Sequence, residues 1–260
     1  MQRALRSVAG PDSYLPGAPL YHAAPVDILL PIRMQAQPDE TTCGPTCLQA
    51  VYQYFGERVP LSDVIEAIPK LDDGGTLAVF LACDALRRGF KATIYTYNLQ
   101  VFDPSWFDST GTNIVDKLQE QAEEKSDVKL RRATRGYVEF LRLGGRLKFT
   151  DLTTRLLRGI IRRELPILTG LSSTFLYRSR RVYGPRDQPD DVRGSPCGHF
   201  AVLCGYHRKQ RTVRVADPYL PNPVRRGEFF YDVSIDRVIG SILLGVLTYD
   251  ANLLVIQPKR

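Results

Sequence analysis

The chain has 260 residues, of which 43% are hydrophobic and 24% are charged, so it can bury a substantial core as one large domain or two small ones. No stretch reaches the roughly 18 uncharged apolar residues of a membrane helix, and the first residues lack the apolar run of about 7–15 that marks a secretory signal. We therefore expect a cytoplasmic protein that does not contact a membrane.

The formal net charge of +7 is unevenly distributed along the chain. The segment from Lys125 to Arg186 holds 16 lysines and arginines against 4 acidic residues, so the rest of the chain is net negative. Within it, Arg155, Arg158 and Arg162 stand beside apolar residues at helical spacing, which predicts a helix that docks on the core and exposes arginine. This basic surface either keeps the protein soluble or attracts an acidic polypeptide.

The first 30 residues are rich in proline, glycine and alanine and predict an irregular arm. After a turn-rich loop at residues 37–46, apolar residues at helical spacing predict a helix that begins within Thr42–Pro45 and stops at Gly56. In chain order, the elements expected next are a helix from Ser62 to Ile68, a helix from Thr76 to Gly89 and a strand over KATIYTY.

Residues from Asp103 to Arg163 are mostly helical in pattern, whereas short runs rich in β-branched residues follow Pro166. These runs, which predict strands joined by turns, are LPILTGLS, HFAVLCGY, RTVRVADP and NLLVIQP. Helices first and antiparallel strands last predict an α+β fold rather than alternating βαβ units.

Five cysteines without an export signal indicate reduced thiols rather than a disulfide framework. Cys47, Cys83 and Cys204 lie in apolar periodic runs, as buried structural cysteines do. Cys43 instead lies in a polar loop where a helix begins, and the positive end of a helix favours a thiolate. Gly44 beside it lets backbone and substrate approach closely. Cys43 is therefore the candidate nucleophile, with a buried structural thiol as the alternative.

His199 and Asp217 lie on two runs that a short polar turn connects, which predicts an antiparallel hairpin. If the pairing centres near Lys209, His199 lies opposite Tyr219 and diagonal to Asp217 on the same face of the sheet. A slip of one residue would put them on opposite faces. In the predicted register, a carboxylate that accepts the His199 ring N–H fixes its tautomer and stabilises the imidazolium, although Asp-Pro is also a common turn initiator.

Gln37 lies six residues before Cys43 in a loop that can fold back on it. Acyl transfer needs hydrogen-bond donors for the developing oxyanion, and a glutamine amide can serve together with the Cys43 backbone N–H. A solvated loop glutamine is the alternative interpretation.

Gln37, Cys43-Gly44, Gly198-His199 within GHFAV, and Asp217-Pro218 occur in an order that resembles the papain-like peptidases of the bacteriocin-processing group. Those enzymes remove double-glycine leader peptides, and free-standing relatives share the pattern. The resemblance implies a papain-like α+β fold in which Cys43 is the nucleophile, His199 the base and Asp217 its orienter. It also implies an oxyanion hole at Gln37, a peptide or protein substrate, and neither cofactor nor metal.

The chain departs from the exporter-type members of that group, since it shows neither a membrane span nor a phosphate-binding G-x-x-x-x-G-K-[ST] loop. The stretch between the two motif blocks is long. We therefore expect a single peptidase domain over residues 31–260 with a basic, mostly helical insertion at about 103–190.

The sequence allows three other interpretations, namely a zinc site, an acyltransferase and a polyanion-binding protein. Cys43, Cys47, Cys197, His199 and Cys204 could supply zinc ligands, although the spacing is not the usual Cys-x-x-Cys pair. A Cys-His-Asp site could also pass its acyl group to an amine or thiol, as an acyltransferase does. The basic segment could bind nucleic acid or another polyanion, but no nucleic-acid-binding motif accompanies it.

Overall fold

The computed structural model describes residues 28–71, 74–108, 111–184 and 187–259. The predicted N-terminal arm at residues 1–30 lies outside the described residues except at its end, where Ile28 and Leu29 form a short strand. The region described comprises a mixed set of helices and strands, in agreement with the predicted α+β class.

Strands and helices follow one another along the whole described chain. The strands are β1 Ile28–Leu29, β2 Phe90–Thr96, β3 Arg146–Lys148, β4 Ile167–Ser172, β5 Val182–Tyr183, β6 Gln188–Pro189, β7 Gly198–His207, β8 Thr212–Ala216, β9 Phe230–Ser234 and β10 Asn252–Pro258. The α-helices are α1 Cys43–Tyr54, α2 Leu61–Ala67, α3 Ala78–Arg87, α4 Ile114–Glu124, α5 Val128–Arg142, α6 Thr154–Ile161, α7 Ser173–Tyr177 and α8 Ile235–Leu244. Two 3₁₀ turns cover Pro104–Trp106 and Gly245–Thr248.

The main sheet has the strand order β3-β2-β10-β4-β7-β8-β9, and β1 pairs with the end of β7. Each neighbouring pair is antiparallel except β2–β3, which is parallel. The strands predicted after Pro166 pair antiparallel, as expected. The parallel pair involves β3, which was not predicted from the sequence. It is parallel because α4 and α5 separate β2 from β3 and return the chain to the same end of the sheet, as a crossover connection does.

The glycines that are predicted to end helices have the backbone conformation that a helix end requires. Gly56 follows α1 at φ +90°, and Gly89 follows α3 at φ +88°. Both values lie in the left-handed region, where a residue without Cβ meets no steric penalty. The predicted strands from LPILTGLS to NLLVIQP are confirmed as β4, β7, β8 and β10. β3, β9 and α8 were not predicted from the sequence.

The segment at 103–190 contains both peripheral and central elements. Its helix α6 buries Leu157, Ile160 and Ile161 completely while Arg155 and Arg162 are exposed, which confirms the predicted docking of this helix. However, β4 belongs to the same segment and lies between β10 and β7 in the middle of the sheet. That residues 103–190 form an insertion therefore stays a prediction, because β4 within this segment is part of the core.

Candidate active site

Cys43 is the first residue of α1, and its side chain is partly exposed. The predicted helix start within Thr42–Pro45 is therefore confirmed. The preceding loop is held by its own side chains, since Asp39 Oδ1 accepts hydrogen bonds from the Thr41 N–H at 2.8 Å and from the Thr41 hydroxyl at 2.7 Å. The Thr46 N–H closes the first turn on the Thr42 carbonyl at 3.0 Å. A short, rigid loop thus delivers the thiol to the positive end of the helix.

Gly44 packs closely against the core. A Cβ at this position would lie 2.8 Å from Thr76 Cγ2, 3.2 Å from Phe200 Cδ2 and 3.3 Å from Leu81 Cδ1. The close approach expected at Gly44 is therefore made to the core, and the approach of a substrate there stays a prediction. The residue lets the start of α1 pack closely on β7 and α3.

His199 lies in β7, and its ring nitrogen Nε2 is 2.8 Å from Oδ1 of Asp217. The predicted contact between these residues is thus present. The pairs Val202–Ala216 and Leu203–Val215 give the predicted register, which places His199 opposite Tyr219 when it is continued to the strand end. A bulge between Leu203 and Gly205 shifts the register on the turn side of the hairpin.

The ring of His199 interacts with the carboxylate on one side and with the Cys43 side chain on the other. Burial by itself would lower the pKa of His199, but the charge and hydrogen bond of Asp217 and the contact with Cys43 outweigh it and raise that pKa well above its usual range. Nε2 faces Asp217, so Nδ1 is the ring nitrogen that the carboxylate does not engage. The three side chains therefore form the sequence Cys43–His199–Asp217 in space.

Asp217 is completely buried, which by itself would raise its pKa. The charge of His199 and hydrogen bonds from His199, Tyr231 and the Tyr219 N–H outweigh burial, so the pKa of Asp217 is lowered. The carboxylate is therefore held ionised without contact with water.

Two tyrosines of the site were missed by the sequence analysis. The hydroxyl of Tyr177 in α7 lies 2.8 Å from Oδ2 of Asp217, and the hydroxyl of Tyr231 in β9 lies 2.5 Å from the same oxygen. The run FFYDV around Tyr231 has the composition and alternation of a strand, and this signal could have revealed β9. Tyr177 carries no comparable signal because it lies in a five-residue helix.

Gln37 lies in the loop before Cys43, and its backbone N–H donates to the Pro218 carbonyl at 3.0 Å. Its side-chain Nε2 donates to the Asp39 carbonyl at 2.8 Å, while Oε1 is buried without a hydrogen-bond partner among the described residues. Gln37 thus borders the strand end that carries Asp217, and its amide is oriented by Asp39.

Two of the other thiols, those of Cys47 and Cys204, contact backbone carbonyls. Cys47 Sγ lies 3.3 Å from the Phe200 carbonyl, and Cys204 Sγ lies 3.6 Å from the Arg214 carbonyl. All five cysteines are free. Within the part of the chain that the structure describes, no group of three or more His, Cys, Asp or Glu side chains is arranged to hold a metal ion, so the zinc alternative gains no support.

Across the described ranges, none of the helices combines the length and the apolar character needed to cross a membrane.

A family model of known protein sequences also matches this chain. The sequence model described as the Peptidase_C39 like family matches residues 29–227, which is most of the chain. A comparison with curated protein sequences finds no match.

Among solved structures, the peptidase domain of Streptococcus ComA, a bifunctional ABC transporter involved in quorum sensing, is similar at 15% identity and a TM-score of 0.41, over 88% of this chain and 99% of that one. A C39-like peptidase from Bacillus anthracis has 13% identity and a TM-score of 0.46, over 89% of this chain and 97% of that one. Xylellain, a cysteine protease from Xylella fastidiosa, has 14% identity and a TM-score of 0.45, over 98% of this chain and 95% of that one. The assignment rests on the sequence model, and by that match the chain belongs to the Peptidase_C39-like family.

Proposed function

We propose that the protein is a cysteine peptidase that hydrolyses a peptide bond through Cys43, His199 and Asp217. The observation that carries the proposal is the position of His199, whose ring is 2.8 Å from the buried Asp217 carboxylate on one side and contacts the Cys43 side chain on the other. This is the relation between nucleophile, base and orienting group that acyl transfer requires.

In the proposed reaction, the Cys43 thiolate attacks the carbonyl carbon of the scissile bond, and the electron pair of the carbonyl moves to its oxygen. The C–N bond then breaks, and His199 donates its proton to the leaving amine. His199 next takes a proton from water, whose oxygen attacks the thioester and releases the carboxylic acid and the thiolate. The raised pKa of His199 supports the first half of this cycle, because the ring carries the proton that the amine needs.

Gln37 is the proposed donor to the oxyanion, together with the Cys43 backbone N–H. An amide nitrogen carries two N–H bonds, and the Asp39 carbonyl accepts one of them at 2.8 Å. The second remains for a substrate oxygen. Anchoring by Asp39 reduces the reorganisation that the donor needs during the reaction, which is the usual basis of oxyanion stabilisation.

The substrate we propose is a peptide or protein segment, in keeping with the peptidase family to which the chain belongs. An acidic segment would be attracted by Arg155 in α6 and Arg162 directly after it, both of which are exposed. The other arginine of α6, Arg158, lies over the Tyr206 ring at 5.0 Å and is therefore partly engaged.

The decisive experiment is treatment with a cysteine-directed acyl probe, followed by mass spectrometry of the labelled peptide. We expect the label on Cys43, and we expect it to disappear in Cys43→Ser and in wild-type protein denatured at the same pH. A label on Cys47 or Cys197, or equal labelling of native and denatured protein, would contradict the proposal. Adding an amine separates the two acyl-transfer outcomes, because hydrolysis releases a free acid and a transferase forms the amide.

A further inference from the structure

The carboxylate of Asp217 accepts four hydrogen bonds from four different residues. Oδ1 accepts from His199 Nε2 at 2.8 Å and from the Tyr219 backbone N–H at 2.9 Å. Oδ2 accepts from the hydroxyls of Tyr177 at 2.8 Å and Tyr231 at 2.5 Å. A carboxylate offers about four acceptor positions, so all of them are occupied in a side chain that is completely buried.

The sheet places two of these four residues, Tyr231 and His199, diagonal to Asp217. Val215 of β8 pairs with Tyr231 of β9, and the Asp217 N–H bonds the Phe229 carbonyl at 2.8 Å, so Tyr231 is the diagonal neighbour of Asp217. His199 is its diagonal neighbour on the opposite side, in β7. The carboxylate therefore lies between a histidine and a tyrosine that adjacent strands supply, while Tyr177 approaches from α7.

Both tyrosines keep the proton that they donate. Burial raises the pKa of Tyr177 and Tyr231, and the Asp217 charge raises both further. A buried carboxylate without such donors would carry a large desolvation cost and would be free to rotate about its Cβ–Cγ bond. Two hydroxyls on Oδ2 prevent that rotation and leave Oδ1 facing the imidazole.

We propose that Tyr177 and Tyr231 are positioning residues that fix the Asp217 carboxylate, keep it ionised, and thereby set how tightly His199 holds its proton. The proposal rests on the proposed peptidase function for its catalytic meaning. Tyr231 lies beyond residues 29–227, to which the family model is matched, so this role comes from the geometry of this chain. Tyr177 also borders the site directly, since its ring centroid is 6.1 Å from that of His199 and 6.3 Å from that of Tyr219.

The effect on His199 has a definite direction. Each phenol withdraws negative charge from the carboxylate, so removing a hydroxyl concentrates that charge and stabilises the imidazolium more strongly. We expect Tyr177→Phe and Tyr231→Phe each to raise the titration midpoint of His199 by about one pH unit, the scale set by one hydrogen bond to a charged group. The loosened carboxylate should also lower kcat about tenfold. KM should change little, because the orientation of the ring affects the transition state and not the binding of substrate.

The test is an NMR titration of the histidine rings in the full chain, which contains only three histidines. The His199 signal is assigned by its loss in His199→Gln. The matched control is Tyr52→Phe, because the Tyr52 hydroxyl donates to Oδ2 of Asp84 at 2.7 Å in a fully buried position outside the site. This control loses a buried tyrosine–aspartate hydrogen bond of the same kind and should leave the His199 midpoint unchanged.

An upward shift in the two site variants but not in Tyr52→Phe supports the proposal. An unchanged midpoint in both site variants, or an equal shift in the control, overturns it. If Tyr231→Phe does not fold, the partly exposed Tyr177 supplies the same measurement. The titration needs no turnover, so it can succeed even if the peptidase function is wrong. A protein that shows the shift but is never labelled at Cys43 would refute the peptidase function, while the effect of both tyrosines on the His199 proton would still hold.

Discussion

The backbone N–H of Gln37 donates a hydrogen bond to the carbonyl of Pro218 across 3.0 Å. This bond ties the loop that precedes Cys43 to the residue that follows Asp217. The helix that carries the thiol and the strand end that carries the carboxylate are thus joined beside the proposed oxyanion donor. Movement of either part would therefore disturb the nucleophile, the orienting carboxylate and the amide together.

Cys43 should be the thiol that reacts first with iodoacetamide near pH 6. Burial is the largest cause that raises the pKa of the other four thiols, Cys47, Cys83, Cys197 and Cys204, so these form little thiolate at that pH. Mass spectrometry of the alkylated peptides measures the order of reaction. Cys197→Ser, which removes the other partly exposed thiol, should leave the labelling rate at Cys43 unchanged; faster labelling of Cys197 would contradict the assignment.

Replacing the base should cost more than replacing its orienting group. We expect His199→Ala to abolish turnover of an activated acyl ester, since the proton transfers lose their carrier. Asp217→Asn should retain a measurable rate, because its amide can still contact the ring, although it cannot stabilise the imidazolium by charge. Equal residual rates in the two variants, with both proteins folded by circular dichroism, would argue against these roles.

Gln37→Ala should lower kcat by about 10²–10³, the usual scale for the loss of one oxyanion donor. KM should change little because the donor acts on charge that develops only in the transition state. The matched control is Gln35→Ala, which removes a neighbouring glutamine whose Nε2 donates to Gln49 Oε1 at 3.1 Å instead. A rise in KM at constant kcat would assign Gln37 to substrate binding.

The stability of the fold should depend on pH through the His199–Asp217 pair. Because the pKa of His199 is raised in the folded state, its contribution is complete below its unfolded value of about 6.5 and declines as pH rises through the folded value. The Tm difference between wild type and His199→Gln should thus shrink above about pH 6.5. Asp217 has a lowered pKa, so its contribution is present above about pH 3.9 and is lost as pH falls below it. A Tm difference that is constant from pH 6 to 9 would contradict the first part.

The arginines of α6 should affect binding rather than chemistry if they recruit an acidic substrate. Replacing Arg155, Arg158 and Arg162 by Gln should raise KM for an acidic peptide at low salt and leave kcat unchanged. Added salt should have the same effect on wild type, since exposed charges are screened beyond about 8–10 Å at 0.1–0.15 M. The matched control replaces Arg131, Arg135 and Arg142 of α5, which changes the charge equally on another helix. An unchanged KM in the α6 variant would show that these arginines are only solvated and do not recruit substrate.

Local chemistry was enough to predict many individual elements of this protein. Apolar spacing and the stop glycines predicted α1 and α3, because helix periodicity and the left-handed conformation are properties of a few neighbouring residues. β3 escaped prediction because it is three residues long and pairs with β2, which is distant in sequence. β9 was missed although the run FFYDV alternates as a strand does. The central place of β10, between β2 and β4, is likewise a matter of long-range pairing.

The sequence by itself determined which residue types are available for the site, their order along the chain and the start of a helix at Cys43. Only the tertiary structure decided that His199 and Asp217 share a face. The pairing His207–Thr212 at the turn, continued without interruption, would place Asp217 on the opposite face, and the bulge between Leu203 and Gly205 restores the required register. The structure alone also brings Tyr177 and Tyr231 onto one carboxylate oxygen. The reason is that strand register and the contacts between separate elements depend on the packing of the whole sheet, which no local pattern contains.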